Sequence, residues 1–470
     1  MKITKSDFLL YLDTPMHLWA KKHGQYVREL SEFEQSLALQ GLEIEPYAKE
    51  FVEKYVLKPS EGEELHYQRT FEDERFSART DILIYKPRSD SYDLYEIKSS
   101  SSIKNDNISD VTFQYLVVGE KINIGRVFIL FINRDYVRSG DLDLGKLFVY
   151  VDVSELVYGI SREVDILRNL AFDEASNENP DEIFTCVKPK ECPCLNLCHP
   201  GLPEFSIYDI PRIDKAKVST LLGLGIVRIQ DVPNSFKLSD KQRKFVDIVK
   251  ANKDYIEFDE IRNEFRKFEY PLYFLDYETY SPAIPLFDGY KPYQHCVFQY
   301  SLHIIDEANG EPRHSDHLEI STGDPAKGVL EYLAKSIVNT GTIFVWNRSF
   351  EEGKNKEMAV LYPEYEGLLN NINSRIYDLA DFVSKGHYLH SGFKGKYSIK
   401  NVLPVIAPEL SYEGMEVGNG TEASIAWWKI VSGEMDEEAV ERKVTALKEY
   451  CKLDTLAMVR VFDFLRENIK

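Results

Sequence analysis

Apolar and polar positions alternate along this chain with two different periods, and the changes of period divide it into three stretches. The first, to about Phe205, opens with helical spacing in FEQSLALQGLEIEPYAKEFVEKYV. It then turns to strand-like runs, HYQRTFEDERF, ARTDILIYK, YDLYEIKSS and RVFILFINR. The segment from Lys86 to Ser91 carries Pro, Arg, Ser and Asp between two of these runs and predicts a hairpin. The second stretch, about Ser206 to Phe268, has short helical patterns in KAKVSTLLGLGIVRIQDVP and DKQRKFVDIVKANKDYIEF and little strand signal. From about Glu269 strand patterns return in YPLYFLDYE, HCVFQYSLHII and GTIFVWN. A helical tail, EEAVERKVTALKEYCKLDTLAMVRVFDFLRENI, closes the chain. The expectation is an α/β protein with domains at 1–205 and 269–470 and a helical connector at 206–268.

A length of 470 residues with 43% apolar content is enough for more than one core. No apolar run approaches the roughly 18 residues that cross a bilayer, and Asp7 and Asp13 interrupt the N-terminal apolar patch, so no membrane partner and a cytoplasmic location are expected. The formal net charge of −20 repels phosphate as a whole, so any contact with nucleic acid must be local. Carboxylates that hold cations would contribute to this imbalance, because the bound ions are absent from the count. Ordinary solubility accounts for the sign equally well.

Two sets of acidic residues carry the candidate chemistry. Asp276 and Glu278, in YFLDYET, are two apart on a predicted strand and leave it on one face, with Leu275 and Tyr277 on the other. Tyr450 and Asp454, in EYCKLDTLAM, are four apart on a predicted helix and share its face. With Glu351 in VWNRSFEE and Asp378 in IYDLAD they predict an acidic cup with a phenol at its rim. Oxygen ligands of this kind favour hard cations. The matching reaction is phosphodiester hydrolysis by two Mg²⁺ or Mn²⁺ ions roughly 3.5–4 Å apart. Tyr450, a poor base at neutral pH, would aim the attacking water.

The order DxE, then NxxFE, then YxxxD resembles the DEDD exonuclease superfamily, tyrosine subclass. That resemblance implies a ribonuclease H-like fold and removal of nucleotides from 3′ ends. The stretch from YFLDYETYSPAIPLFDGYKPYQHCVFQYS to YCKLDTLAM is similar to an uncharacterised bacterial family built on this core. Glu351 stands where the superfamily usually has Asp, and the closer family carries Glu there too. Asp378 is either a further ligand or the residue that starts the helix of LADFV.

The second set is Asp81 in ARTDILIY, with Glu96 and Lys98 in LYEIKSS sharing a strand face while Ile97 points into the core. It resembles the PD-(D/E)XK core of RecB-like nucleases and their CRISPR-associated relatives. The resemblance implies that Asp81 and Glu96 bind Mg²⁺, that Lys98 polarises water, that Glu45 is a first-helix ligand and that Gln114 contacts substrate.

Four of the six cysteines, Cys186, Cys192, Cys194 and Cys198, crowd one short segment, which in a reducing compartment speaks for metal rather than disulfides. RecB-type nucleases of this sort often hold an iron–sulfur cluster with one cysteine near the N-terminus and three after the core. Here Thr14 takes the N-terminal place and Cys194 offers a replacement ligand. The cluster is then [4Fe–4S] or tetrahedral Zn²⁺. Cys296 and Cys451 are expected in the core.

Other features carry less. The Leu222-Gly-Leu-Gly-Ile226 turn resembles helix-hairpin-helix elements, whose glycines let N–H groups approach phosphate, but plain helix packing is the expectation. Trp346, Trp427, Trp428, Tyr280 and Tyr293 suit base stacking or core packing, with core packing the default. His295, His387 and His390 show no metal spacing. The resemblances together imply a nuclease acting on DNA in repair, recombination or defence. RNA is the alternative substrate, and a non-catalytic DNA-binding subunit is the rival class.

Overall fold

Two five-stranded mixed sheets organise the chain in the computed structural model, which describes residues 1–27, 32–100 and 102–469. The fold is α/β. It divides into one unit of residues 1–201 with 282–294 and another of residues 202–281 with 295–470.

The first unit begins with helices α1 (Lys5–Asp13), α2 (Pro15–Lys22) and α3 (Glu32–Phe51). Its main sheet places β1 (Glu64–Tyr67), β2 (Ile82–Lys86), β3 (Ser91–Lys98), β4 (Ile124–Ile132) and β5 (Phe148–Asp152) side by side in that order. All neighbours are antiparallel except β3 and β4. A parallel pair needs a crossover, and α4 (Asn105–Gly119) supplies it. Strand alternation then sorts the side chains. Leu83 and Leu94 face a core built with Phe8 of α1, Val111 and Val117 of α4, and Val157 and Val164 of α5 (Ser154–Ala175). Ile82, Ile84 and Tyr95 face the other way, onto Ile44, Ala48 and Phe51 of α3. The hairpin is where the sequence puts it, with Lys86 opposite Ser91 and Ile82 opposite Tyr95. That register sets Asp81 beside Glu96.

In the second unit the sheet order is β8 (Arg313–Leu318), β7 (Cys296–Ile305), β6 (Leu272–Tyr280), β9 (Thr342–Val345), β10 (Ile376–Asp378). The first three are antiparallel to their neighbours, and β9 and β10 join as parallel strands. Helices α6 (Pro325–Ser336) and α7 (Arg348–Leu361) lead into β9 and out of it. Every residue of β7 is buried, because both sheet faces are covered. One face meets Val329, Leu330 and Leu333 of α6. The other meets α9 (Glu437–Asn468), whose Thr455 hydroxyl lies 2.8 Å from both Ser301 Oγ and His303 Nδ1. The shorter α8 (Gly420–Val431) packs against β6.

Residues 206–268 group with the second unit. Helices Lys215–Gly223 and Asp240–Ala251 share a small core with Ile207, Leu221, Phe245 and Val246. Tyr255–Ile256 pairs with Tyr388–Leu389. In the Gly225 turn the N–H groups of Gly225 and Ile226 donate to the carbonyls of Leu222 and Leu221, both at 2.9 Å. Those donors close the helix, as plain helix packing requires. Trp427 is fully buried and donates to the Glu319 carbonyl at 2.7 Å, while Cys296 and Cys451 are buried as expected. Among the described residues no helix is long and apolar enough to cross a membrane.

Candidate functional site

Asp276 and Glu278 come together in the second unit, while Asp454 and Glu351 act on the Asp276 charge from outside that group. Phe274 of β6 packs with Phe462 of α9, so the same strand face carries Asp276 and Glu278 towards α9. One carboxylate oxygen each from Asp276 and Glu278, with Cys451 Sγ, lie within 4.8 Å of one another. Tyr450 and Asp454 share the α9 face. The Tyr412 hydroxyl donates to Asp454 Oδ1 at 2.6 Å, and the Tyr450 phenol also bonds the Asp454 carboxylate. A bulge between Glu278 and Thr279 breaks the β6–β7 register at the site. Glu278 Oε2 lies near the first turn of α8, 3.7 Å from where a side chain at Gly420 would begin.

Glu351 enters from the first turn of α7 and is buried, and its Oε2 has no hydrogen-bond partner. Asp378 ends β10 beside it. The Asp378 oxygens accept the N–H groups of Arg348 at 3.1 Å and Ala380 at 3.0 Å, so this residue caps the start of α7. Of these bonds only the one from Ala380 lies at the helix of LADFV (Asp381–Ser384); the one from Arg348 reaches a different helix.

Electrostatics distinguish the cup from an ordinary polar surface. Burial, then the charges of Asp454, Glu278 and Glu351, push Asp276 well above the usual carboxylate range. Glu278 is pushed the same way by burial and Asp454. Burial and Asp378 raise Glu351 to about 8, and burial raises Asp454 to about 6 despite its two phenol donors. Burial and the surrounding carboxylates drive Tyr450 upward too, so it stays protonated. Against these carboxylates stands Lys400, which donates to the Gly418 carbonyl at 2.9 Å. Its ammonium lies 5.5 Å from the Tyr412 ring centre and 5.9 Å from that of Tyr450. A hard divalent cation is the group whose charge would relieve this repulsion. Tyr412, Lys400 and Cys451 were not singled out by spacing. Tyr412 falls in a loop without a periodic signature, Lys400 sits in helix Ile399–Ile406, whose apolar face gives no hint of a role for its ammonium, and Cys451 reads as core.

The set in the first unit is balanced differently. Glu96 follows Leu94 onto the face covered by α1 and α4. Its Oε1 accepts from Lys5 Nζ at 2.7 Å and Lys98 Nζ at 2.9 Å, and its Oε2 accepts from Gln114 at 2.7 Å. Lys98 also donates to Asp110. Asp81 Oδ2 accepts the Ile97 N–H at 2.9 Å. Burial works to raise Glu96, but Lys98 and Lys5 outweigh it and hold the group down, whereas burial and the Glu96 charge lift Asp81 to about 7. Lys5 and Asp110 are thus part of the constellation and carried no motif signal. Gln114 is buried against Glu96 rather than open to substrate. Glu45 sits on α3, which covers the opposite sheet face. It pairs with Lys49 at 2.7 Å and with Gln68, not with Asp81 or Glu96.

The cysteine segment folds back onto α2. Donor atoms of Cys186, Cys192, Cys198 and His17 lie within 4.8 Å of one another, with Cys192 Sγ 3.6 Å from His17 Nε2. His17 Nδ1 lies 3.1 Å from Asp13 Oδ2, which orients the ring and leaves Nε2 for a ligand. Cys194 Sγ lies 3.6 Å from Cys198 Sγ and 4.0 Å from Cys192 Sγ but falls outside the group of four. Thr14 bonds its hydroxyl to the Asp13 carbonyl instead. His17 lies one helical turn after Thr14, a signal that a search for cysteine alone passes over.

Comparison with known proteins gives family likeness without activity. A family described as a domain of unknown function (DUF2779) matches residues 273–398. The uncharacterised protein UU173 of Ureaplasma parvum is 30% identical over 228 residues, 44% of this chain and 32% of that protein. The uncharacterised protein MG366 of Mycoplasma genitalium is 25% identical over 245 residues, 48% of this chain and 36% of that protein. The MG366 homolog of Mycoplasma pneumoniae is 28% identical over 219 residues, 43% of this chain and 33% of that protein. The matches thus span about a third of these relatives' lengths. No solved structure matches.

Two outcomes follow from the charge distribution. Glu351 has an ordinary value of 4.5 and is raised to about 8, so between these values the folded chain holds a proton that the unfolded chain releases. The stability this proton contributes is fully present below the lower value and is lost as pH rises through the upper one. In EDTA, the midpoint of thermal unfolding should therefore fall more steeply from pH 5 to pH 8 for the parent chain than for Glu351→Gln, by several degrees. Equal slopes would show that Glu351 is not held protonated. In the first unit, Lys98→Met leaves Glu96 and Asp110 buried without one of their cations. Urea denaturation should register a loss of about 3 kcal/mol.

Proposed function

We propose that this protein is a metal-dependent nuclease whose C-terminal domain, residues 269–470, removes nucleotides from the 3′ ends of DNA. In this reading that domain is ribonuclease H-like and of the DEDD type, residues 1–205 form a PD-(D/E)XK domain with a second nuclease site, and 206–268 is the helical connector. The observation that carries the reading is the set of buried carboxylates of Glu278, Glu351 and Asp454 around the half-buried Asp276, whose charge they repel. The strand order 3-2-1-4-5, counted along the second unit's sheet, supports it too, because the DxE strand is then central and Glu351 follows the next parallel strand.

Asp276, Glu278, Glu351 and Asp454 would hold two Mg²⁺ or Mn²⁺ ions. Such ions supply an activated water and stabilise the departing oxygen. Tyr450, kept protonated, would turn its O–H from the Asp454 carboxylate to the attacking water, and Lys400 would offer positive charge to a phosphate. Asp378 positions Glu351 through the start of α7. In the N-terminal site Asp81 and Glu96 would hold one cation and Lys98 would stabilise developing charge. That site is already partly neutralised by Lys5 and Lys98, so its need for a cation is weaker.

For the cysteine centre, tetrahedral zinc with ligand bonds of about 2.0–2.3 Å sets donor atoms roughly 3.5–3.8 Å apart. In [4Fe–4S] each ligand binds a different iron of the cube and the donors stand further apart. The group of His17, Cys186, Cys192 and Cys198 has the closer spacing, which favours a single Zn²⁺ tying α2 to the cysteine segment.

With end-labelled single-stranded oligomers, the parent chain should shorten DNA from the 3′ end with Mg²⁺ or Mn²⁺ and not in EDTA. Outer partners of a bound metal are worth about 10–100-fold, so Asp276→Asn should cost more than about a hundredfold. Any remaining cutting should vanish with Glu96→Gln. Preferential loss of RNA would move the substrate to RNA, and equal activity of the parent and Asp276→Asn would leave a binding subunit. Metal analysis of the purified chain should find zinc, lost in His17→Ala and kept in Cys194→Ala. A brown protein with the visible absorption of an iron–sulfur cluster would overturn the zinc assignment.

A further inference from the structure

The second unit carries a cleft of about 350 Å³ whose walls run against the charge of the whole chain. Arg212, Lys217, Lys241, His390, Lys396 and Tyr397 line it, and no carboxylate does, in a protein of net charge −20. Lys217 is paired with Asp214 at 2.8 Å, but among the described residues Arg212, Lys241 and Lys396 have no carboxylate partner. Lys241 donates to the Ser384 carbonyl, and burial together with the Arg212 charge pulls its pKa down. Three cations are therefore gathered with nothing anionic to answer them.

The cleft is built rather than incidental. Gln242 donates to the Pro211 carbonyl at 3.0 Å and ties the turn before Arg212 to helix Asp240–Ala251. Arg212 itself holds a left-handed backbone, φ 50°, which a non-glycine residue adopts at a cost. Across the cleft Gly395 has φ 68°, and a Cβ there would come 2.3 Å from the Asp209 carbonyl oxygen. Only glycine lets the loop carrying Lys396 and Tyr397 approach so closely. Tyr397 is 43% exposed and its hydroxyl accepts from Arg212 Nη2 at 3.4 Å, which sets an aromatic side chain beside the cations.

The same loop leads to the acidic cup. The Tyr397 carbonyl accepts from Trp346 Nε1 at 3.0 Å, and Lys400 lies three residues further along, beside Tyr412 and Tyr450. Three residues span at most about 10 Å. The cleft wall at Tyr397 and the Lys400 ammonium at the cup therefore belong to one short segment.

From this geometry we infer that the cleft binds the phosphate backbone of single-stranded nucleic acid. Arg212, Lys241 and Lys396 meet successive phosphates and Tyr397 stacks on a base while the strand's 3′ end lies in the cup. The inference rests on the nuclease reading for the role of the cup, and on the cleft alone for binding. Phosphate contacts and an aromatic platform are what sequence-tolerant single-strand binding requires.

The test is fluorescence anisotropy with a labelled 12-nucleotide DNA strand and the full chain in EDTA, across a salt series. The triple variant Arg212→Gln, Lys241→Gln, Lys396→Gln should bind at least about tenfold more weakly, and its slope of log affinity against log salt should fall by about 2. Tyr397→Ala should weaken binding and leave the slope unchanged. A control removing three exposed lysines elsewhere, Lys267→Gln, Lys335→Gln, Lys429→Gln, should alter neither quantity as much. Unchanged affinity and slope in the cleft variant, an equal effect of the control, or equal competition by an acidic peptide of the same charge would each overturn the inference. Binding in EDTA needs no turnover, so a parent chain that binds in this way but fails to cut with Mn²⁺ would sink the nuclease reading and leave the cleft assignment standing.

Discussion

Like charges buried together are the constraint on which the second unit depends. Asp276, Glu278, Glu351 and Asp454 come from a central strand, from the helix after its parallel neighbour and from the last helix; three are withdrawn from water and Asp276 is half-buried. Left ionised, they would repel one another in surroundings that screen poorly. The scaffold meets that repulsion by strength elsewhere. Strand β7 is buried at every position, and a large apolar cluster locks β6 to α9 through Phe274 and Phe462. The acids hold their places because the framework leaves them no alternative, and protons or cations must settle the charge.

The first unit solves a similar problem by pairing. Glu96 already has two ammonium groups and an amide, and Asp110 shares one of the lysines. A buried carboxylate so furnished is stable without a metal. The contrast between a constellation short of cations and one nearly supplied with them is a contrast in chemistry, although both were recognised from motifs of the same kind. The group of His17, Cys186, Cys192 and Cys198 adds a third answer, in which sulfur and imidazole are gathered from segments far apart along the chain.

Strand periodicity made much of this legible. The two-residue spacing of Asp276 and Glu278, the four-residue spacing of Tyr450 and Asp454, and the hairpin that sets Asp81 beside Glu96 all follow from local geometry, and the structure has them as expected. Contacts made across the fold were not legible. Lys5 reaches strand residue Glu96 from helix α1, Tyr412 reaches Asp454 from a loop, and His17 joins cysteines far along the chain. Spacing within a segment says nothing about such meetings. Glu45 shows the reverse case: its helix position matched a motif, and its carboxylate is found with Lys49 and Gln68 rather than with Asp81 or Glu96.

Residues 282–294 depart from the second unit just after the DxE strand and are counted with the first, where Ala283 and Ile284 join the core around α3. The chain therefore passes from one unit to the other three times. Dissection at a single boundary cannot yield two intact halves: a fragment ending at residue 201 would lack part of its own interior, and its complement would carry that piece as a sticky, homeless loop. Whatever the two units do, they are inherited, expressed and broken as one object.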